Sequence, residues 1–280
     1  MQIRRLTTED IPALLESVNG AFADYIVPFQ LNAEQLEFKI RSEDILMDYS
    51  VGVFDEEKLI AFIMHGVRHH DNIYVVYNGG TGVLPDYRGK GLVGKMYAYI
   101  LPFLKDKKTE KTVLEVIESN QSAIRAYEKQ GFNVNRKLLC FSGQFTLHPT
   151  QQAAAVVPLE TLPWADLPAF WDITPSWQSD TPSMLTTAPN ILGAFLEQQL
   201  IGYVLFNPTK KRIYQLAVAP AYRRKGIGQQ LCAAVQGLIP NDTLQINNID
   251  EASVGLKLFF ERQGLTNDIN QLEMVMEITN

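Results

Sequence analysis

Cysteine is scarce: Cys140 and Cys232 are the only two in 280 residues. Two lone thiols in a chain this long fit a reduced compartment better than a disulfide framework. Long apolar runs are missing too. The longest, such as residues 59–64, fall far short of the ~20 residues that a membrane-spanning helix needs. Arg4 and Arg5 are followed by the polar Thr7, Thr8, Glu9 and Asp10, not by the apolar stretch of a signal peptide. A cytoplasmic location and no membrane partner are therefore expected. Positive charge is short, with a net charge of −6, which argues against nucleic acid as a partner but not against a small phosphorylated ligand. The four histidines join no Cys/His cluster of metal-site spacing, so no metal is expected. Walker A spacing and the G-x-G-x-x-G dinucleotide fingerprint are both absent. Nothing in the sequence speaks to oligomeric state.

What is present is a repeat. Residues 83–91 read Val-Leu-Pro-Asp-Tyr-Arg-Gly-Lys-Gly, and residues 218–226 read Val-Ala-Pro-Ala-Tyr-Arg-Arg-Lys-Gly. Six of these positions match at an offset of 135 residues. Downstream, Tyr-Glu-Lys-Gln-Gly-Phe (127–132) is answered by Phe-Glu-Arg-Gln-Gly-Leu (260–265), with Gly131 and Gly264 offset by 133. Two ordered matches at nearly one offset indicate a duplicated domain.

The flanking pattern repeats as well. Residues 50–54 and 59 onward read as a hairpin, as do 191–196 and 200–206. Strands at 73–77 and 213–218 lead into the two motifs. Apolar stripes at helical spacing follow each one: Leu92, Met96, Ile100 and Leu104 in the first, Ile227, Leu231, Val235 and Leu238 in the second. Pro102 is expected to bend or end the first of these helices. Strands at 113–117 and 244–246 and helices at 121–129 and 252–262 come next. The reading is an α/β (α+β) protein of two tandem domains, 1–148 and 153–280, joined near the polar residues 148–152. Each would carry a mixed, mostly antiparallel central sheet flanked by helices.

A strand that passes through a Gly-rich basic turn into a helix makes an anion site. The first helical N–H groups lack intrahelical partners, the helix dipole adds partial positive charge, and glycine lets a phosphate approach. Arg88, Lys90 and Lys95 supply cations in the first half, and Arg223, Arg224 and Lys225 in the second.

These residues resemble the GNAT superfamily of N-acetyltransferases, whose motif is [QR]-x-x-G-x-[GA]. Arg223, Gly226 and Gly228 match it. Arg88 and Gly91 match in the first half, where Val93 replaces the usual small residue and Gly94 follows. The resemblance covers most of both halves and implies two GNAT-like domains. It also implies acetyl-CoA as cosubstrate, its pyrophosphate held by main-chain amides at Arg88, Gly89, Lys90, Gly91, Leu92, Val93 and Gly94, and at Arg223, Arg224, Lys225, Gly226, Ile227 and Gly228. The strand edges at Val83, and at Leu216 and Val218, would take the pantetheine arm.

The family often uses a tyrosine on the last helix to protonate the leaving thiolate, and Tyr127 occupies that place. Asn120 matches a cofactor-arm contact and also suits a helix cap. In the second half Phe260 and Ser253 stand at these positions. The first half is therefore expected to catalyse acetyl transfer to a primary amine of a small molecule, peptide or protein. The second half is expected to bind CoA without turnover or to serve structure. The alternative is a non-catalytic CoA-binding, sensing or scaffold protein of the same fold. Glu115 and Glu118 at the end of a strand beside the expected cleft, and His69, His70 and Asp71 in an expected loop before the strand at 73–77, are candidates for a general base, and none is assigned. The aromatic segments 22–38 and 170–184 would shape acceptor recognition.

Overall fold

The chain starts with a short strand, β1 (Gln2–Arg5), and a helix whose start is encoded locally. The Asp10 carboxylate accepts the Thr7 N–H at 2.8 Å and is clasped by Arg4 at 2.7 Å. The Arg4 hydrogen bond holds its carboxyl down at about 2. Pro12 then occupies the first turn of α1 (Ile11–Ala21), which buries Leu14, Ser17, Val18 and Ala21 at helical spacing. The next helix, α2 (Ala33–Ser42), begins inside the segment 22–38 expected to shape acceptor recognition and runs four residues beyond it. Its sequence signal is Asn32 with Gln35, which exchange backbone-to-side-chain bonds of 2.9 Å in each direction.

The structure is a computed structural model that describes residues 1–70, 73–146, 153–240 and 242–278. The expected boundary at 148–152 and Asp71 lie outside the described residues. Next come β2 (Val51–Asp55), β3 (Lys58–His70), β4 (Ile73–Val83), α3 (Leu92–Asp106), β5 (Thr109–Ile117) and α4 (Gln121–Glu128). The second half runs through β6 (Asn133–Gly143), β7 (Ala155–Leu159), α5 (Thr181–Thr187), β8 (Asn190–Leu196), β9 (Gln199–Asn207), β10 (Arg212–Val218), α6 (Ile227–Leu238), β11 (Leu244–Asp250), α7 (Val254–Arg262), β12 (Thr266–Asn267) and β13 (Gln271–Glu277).

These elements form two compact units, Met1–Asn135 with Leu272–Asn280, and Arg136–Gln271. In the first, the sheet order is β1-β2-β3-β4-β5-β13; β1 to β4 are antiparallel and β4/β5 is parallel. In the second, the order is β6-β11-β10-β9-β8-β7, with β12 on β6. There β10/β11 is the parallel pair. The units therefore do not divide at 148–153. β6, which ends the first repeat, pairs with β11 of the second unit. β13, which ends the second repeat, completes the first. Its Leu272, Met274 and Met276 recur at strand spacing, and Met274, Met276 and the following Ile278 enter the first core. Ile278 N–H also donates to Glu110 O at 2.7 Å.

The duplication reaches down to irregularities. A bulge in β4 leaves Gly79 unpaired between Asn78 and Gly80. A bulge in β10 leaves Tyr214 unpaired between Ile213 and Gln215. Gly79 and Tyr214 are 135 residues apart, the same offset as the sequence motifs. Pro102 sits in the last turn of α3, which runs four residues further to Asp106. Leu104, fully buried beyond the proline, anchors the last turn in the core and outweighs the lost hydrogen bond.

Candidate functional site

Both units open a sheet in the same place. The parallel β4/β5 register runs to Asn78 opposite Leu114 and stops, while β4 continues to Val83 against β3 alone. In the second unit the parallel register stops at Ile213 opposite Ile246, and β10 continues to Val218 against β9. Val83, Leu216 and Val218 thus lie on strand segments whose other edge carries backbone groups released from pairing.

Each strand then enters a turn and a helix. Gly89 (φ +76) and Gly91 (φ +69) take left-handed backbone before α3. A Cβ added at either would meet nothing within 4 Å, so this turn faces open space. In α3 the Lys95 N–H bonds Gly91 O, and in α6 the Gln230 N–H bonds Gly226 O. The earlier amides of Leu92, Val93 and Gly94, and of Ile227, Gly228 and Gln229, come before those first helical bonds. The side chains of Leu92 and Ile227 are buried, so these residues offer a ligand only backbone. Val93 packs against the first core. Gly228 has a packing reason, since a Cβ would press on the Phe259 ring at 3.2 Å.

The arginines behave differently from the expected free cations. Arg88 grips Asp24 through two bonds of 2.6 and 2.7 Å, reaches Ala21 O at 2.9 Å, and returns to Val83 O at 3.3 Å. Arg223 repeats the pattern on Asp172 (2.7 Å), Phe170 O (3.0 Å) and Val218 O (2.9 Å). Each arginine straps its turn to the preceding segment and to the splayed strand. The lysines stay exposed over the neighbouring rings, Lys90 at 4.6 Å from Tyr87 and Lys225 at 5.2 Å from Tyr222. Asp24 and Asp172 carried no sequence signal, because their partners are remote in the chain. Arg224 (φ +63) holds the left-handed position that Gly89 fills in the first turn.

Tyr127, on α4, is buried with its ring edge-on to Phe132. Burial pushes its phenol up to about 12, against smaller opposing effects of Thr81 and Asn78. Asn78 Nδ2 donates to Thr81 Oγ1 at 2.8 Å and to the Tyr97 hydroxyl at 2.9 Å, while its Oδ1 accepts the Gly80 N–H at 3.0 Å. His65, opposite Asn78 in the sheet, is fully buried. Its Nδ1 donates to Tyr49 O at 2.8 Å, and its Nε2 is left without a partner. Desolvation lowers the imidazole to about 4, so it is neutral. Thr81, Asn78, Tyr97 and His65 escaped sequence reasoning. The available signal was a polar Asn-Gly-Gly-Thr interrupting an apolar strand.

At the matched positions the second unit is apolar. Phe206, Ile213, Leu216, Cys232 and Phe260 stand where the first unit has His65, Asn78, Thr81, Tyr97 and Tyr127. Phe260 packs against Phe141 and Phe259. This unit holds a cavity of about 870 Å³ lined by Leu216, Val218, Arg223, Arg224, Gly226, Ile227, Gly228 and Ser253. A polar chain closes another part of its wall: Trp171 donates to the Tyr203 hydroxyl at 2.7 Å, Tyr203 donates to Gln215 Oε1 at 2.7 Å, and Gln215 donates to Ser179 O.

Asn120 caps α4, its Oδ1 accepting the Ala123 N–H at 3.2 Å and the Ser122 hydroxyl at 2.9 Å. Ser253 takes the same backbone geometry without a side-chain cap. Among the candidate bases, Glu115 receives the Tyr77 hydroxyl at 3.3 Å. His69 lies in β3, not in a loop, and its ring stacks on Tyr74 at 4.6 Å. No group of His, Cys, Asp or Glu among the described residues has the arrangement of a metal site. No described helix is long and apolar enough to cross a membrane.

Known proteins match this architecture. The family pattern described as "Acetyltransferase (GNAT) family" fits residues 16–132 and again 156–263. A 62-residue stretch is 37% identical to the mycothiol acetyltransferase of Corynebacterium aurimucosum, covering 22% of this chain and 19% of that protein. The match therefore spans about a fifth of that relative's length. Among solved structures, a GCN5-related N-acetyltransferase from Sphaerobacter thermophilus aligns with a TM-score of 0.72 at 18% identity, over 100% of this chain and 96% of that one. A tandem GNAT protein from the clavulanic acid biosynthesis pathway aligns at 0.73 and 11%, over 100% and 99%. A putative acetyltransferase from Pyrococcus horikoshii aligns at 0.67 and 16%, over 99% and 89%. These low identities speak to fold alone; the family pattern, met once in each repeat, goes further, and the chain belongs to the acetyltransferase (GNAT) family.

Proposed function

We propose that this chain is an N-acetyltransferase that uses acetyl-CoA as cosubstrate and acetylates a primary amine of a small molecule, peptide or protein. Its first unit turns the substrate over and its second holds CoA. The observation that carries the catalytic half of this reading is the position of Tyr127. Its ring is buried on α4 against Phe132, and Asn78 and Thr81, which flank the point where β4 and β5 part, oppose the rise that burial imposes on its phenol. With a phenol lifted to about 12, Tyr127 stays protonated at neutral pH and is fit to serve as an acid, not a base. The open turn at Gly89 and Gly91 suits a pyrophosphate approaching main-chain amides. Asn120 keeps its Nδ2 outside both of its capping bonds and free to meet the cofactor arm.

The second half of the reading rests on the cavity beside Gly226, which belongs to the unit with Phe260. That unit has space and cations for a phosphorylated ligand, and no hydroxyl at the acid position. Acetyl-CoA supplies the activated acyl group. The chain's residues hold the phosphates, orient the arm along the free strand edge and deliver a proton where the thiolate leaves.

Thiol release from acetyl-CoA over a panel of amines tests the activity. Tyr127→Phe is expected to lower release by about 100- to 10,000-fold with CoA binding unchanged by calorimetry. An Arg223→Ala/Gly226→Val variant is expected to remove one CoA-binding event and spare turnover. The reverse result reassigns catalysis to the second unit. Tight CoA binding with no release from any amine favours a sensor.

A further inference from the structure

Where β10 parts from β11, the second unit carries a polar chain whose direction is fixed from both ends. The Trp171 indole can only donate, and it does so to the Tyr203 oxygen at 2.7 Å. Tyr203 gives its own proton to Gln215 Oε1, also at 2.7 Å. The Ser179 main-chain oxygen can only accept, and it takes one proton of Gln215 Nε2. The Gln215 amide is thereby oriented, with one of its two N–H protons used. The other has no acceptor among the described residues. Gln215 is buried and lines the cavity of about 870 Å³. A buried donor left unpaired is costly, so this one calls for an acceptor on a ligand.

Its position says which atom of a ligand that is. The last parallel pair is Ile213 with Ile246, Tyr214 bulges, and Gln215 is the first residue of β10 past both. Leu216 and Val218, on the free edge, follow it. An arm laid along that edge, with its phosphates at the Gly226 turn, ends beside Gln215. The wall there is aromatic, with Phe170, Trp171, Tyr203 and Tyr214, which suits the short apolar part of an acyl group. The first unit has no counterpart. Phe62 faces Gly82 as Tyr203 faces Ala217, and Gly80 stands at the Gln215 position with the Met64 methyl against it.

We propose that the second unit is an acyl-thioester site, in which Gln215 donates its remaining amide proton to the thioester carbonyl, so that this unit holds acetyl-CoA in preference to CoA. The proposal rests on the reading that this unit holds CoA. Free CoA ends in a thiol, a weak acceptor, and leaves the Gln215 proton unpaired. A unit of this kind fills according to the ratio of acetyl-CoA to CoA.

Calorimetry without an amine tests this. The second-unit event is the one missing from the Arg223→Ala/Gly226→Val variant. At that event acetyl-CoA is expected to bind about ten-fold more tightly than CoA, and than S-ethyl-CoA, the thioether of equal chain length that lacks the carbonyl oxygen. Gln215→Met keeps the side-chain length and removes the amide. It is expected to erase the preference and leave CoA affinity unchanged. Equal affinities for the three ligands in the unaltered protein, or a preference that survives Gln215→Met, overturn the acyl-thioester site while the CoA-holding reading stands. If the Arg223→Ala/Gly226→Val variant loses no event with any of the three ligands, that reading falls and this proposal with it. The ligand comparison in the unaltered protein decides the matter even where Gln215→Met fails to fold.

Discussion

The two units share a bulge, a splayed parallel strand pair and an arginine strap, yet differ at five matched positions, four of them buried in both units. His65, Asn78, Thr81, Tyr97 and Tyr127 in the first face Phe206, Ile213, Leu216, Cys232 and Phe260 in the second. Buried polar groups are costly unless they are paired. A polar set present in one copy and replaced by apolar residues in the other is therefore a difference that can be tested one residue at a time. The turns diverge in the opposite sense. The second unit has the larger charge at its turn, with Arg224 in place of Gly89, and the cavity of about 870 Å³. The polar set and this cavity thus lie in different copies.

The sharpest break in this comparison is to remove β13. A chain ending at Gln271 takes Met274, Met276 and Ile278 out of the first core, and each buried apolar side chain is worth about 1.5–3 kcal/mol. The first unit is expected to lose its cooperative melt, and turnover with it, while the second keeps its melt and its CoA binding. Differential scanning calorimetry with a thiol-release assay checks this. Loss of both melts, or of neither, contradicts independent units completed by exchanged strands.

Acid separates the copies next. The unfolded His65 imidazole titrates near 6.5 and the folded one near 4. Between those values the unfolded chain takes up a proton that the folded chain refuses. The stability of the first unit is therefore whole above about 6.5 and falls as pH drops toward 4, by about 3 kcal/mol. His65→Phe, which installs the second unit's residue, is expected to flatten this limb. Urea melts across that window measure it; an unchanged slope places the acid sensitivity on other groups.

The smallest effect concerns the turns. Arg224→Gly relieves a left-handed side-chain conformation and is expected to raise the second unit's stability by no more than about 1 kcal/mol. Calorimetry should show CoA binding weakened at the same time. Stabilisation without weaker binding makes that cation a bystander.

Much of this was legible before the coordinates. The matched Tyr-Arg-x-Lys-Gly turns, the hairpins and the helical stripes carry local periodicity and glycine chemistry, and these appear where expected. α2 was missed because its apolar face is short and its Asn32–Gln35 cap went unread. The unit boundaries were misplaced for a different reason. Strand spacing shows that residues 133–143 and 271–277 are strands, but pairing is a long-range choice that alternation does not encode. The Asp24 and Asp172 straps and the Asn78–Tyr97 bond are non-local in the same way. The arginines read as ligand cations, and the structure gives them to carboxylates and carbonyls.

The exchange of final strands also fixes an order of events during synthesis. The first unit cannot complete its sheet until residue 278 has left the ribosome, by which time residues 136–271 have already emerged with every strand of their own. The later-encoded unit is thus the earlier one able to close. The nascent first unit must wait with β5 uncovered, a period in which a chaperone, or a nonsense mutation far downstream, decides whether the Tyr127 site ever forms.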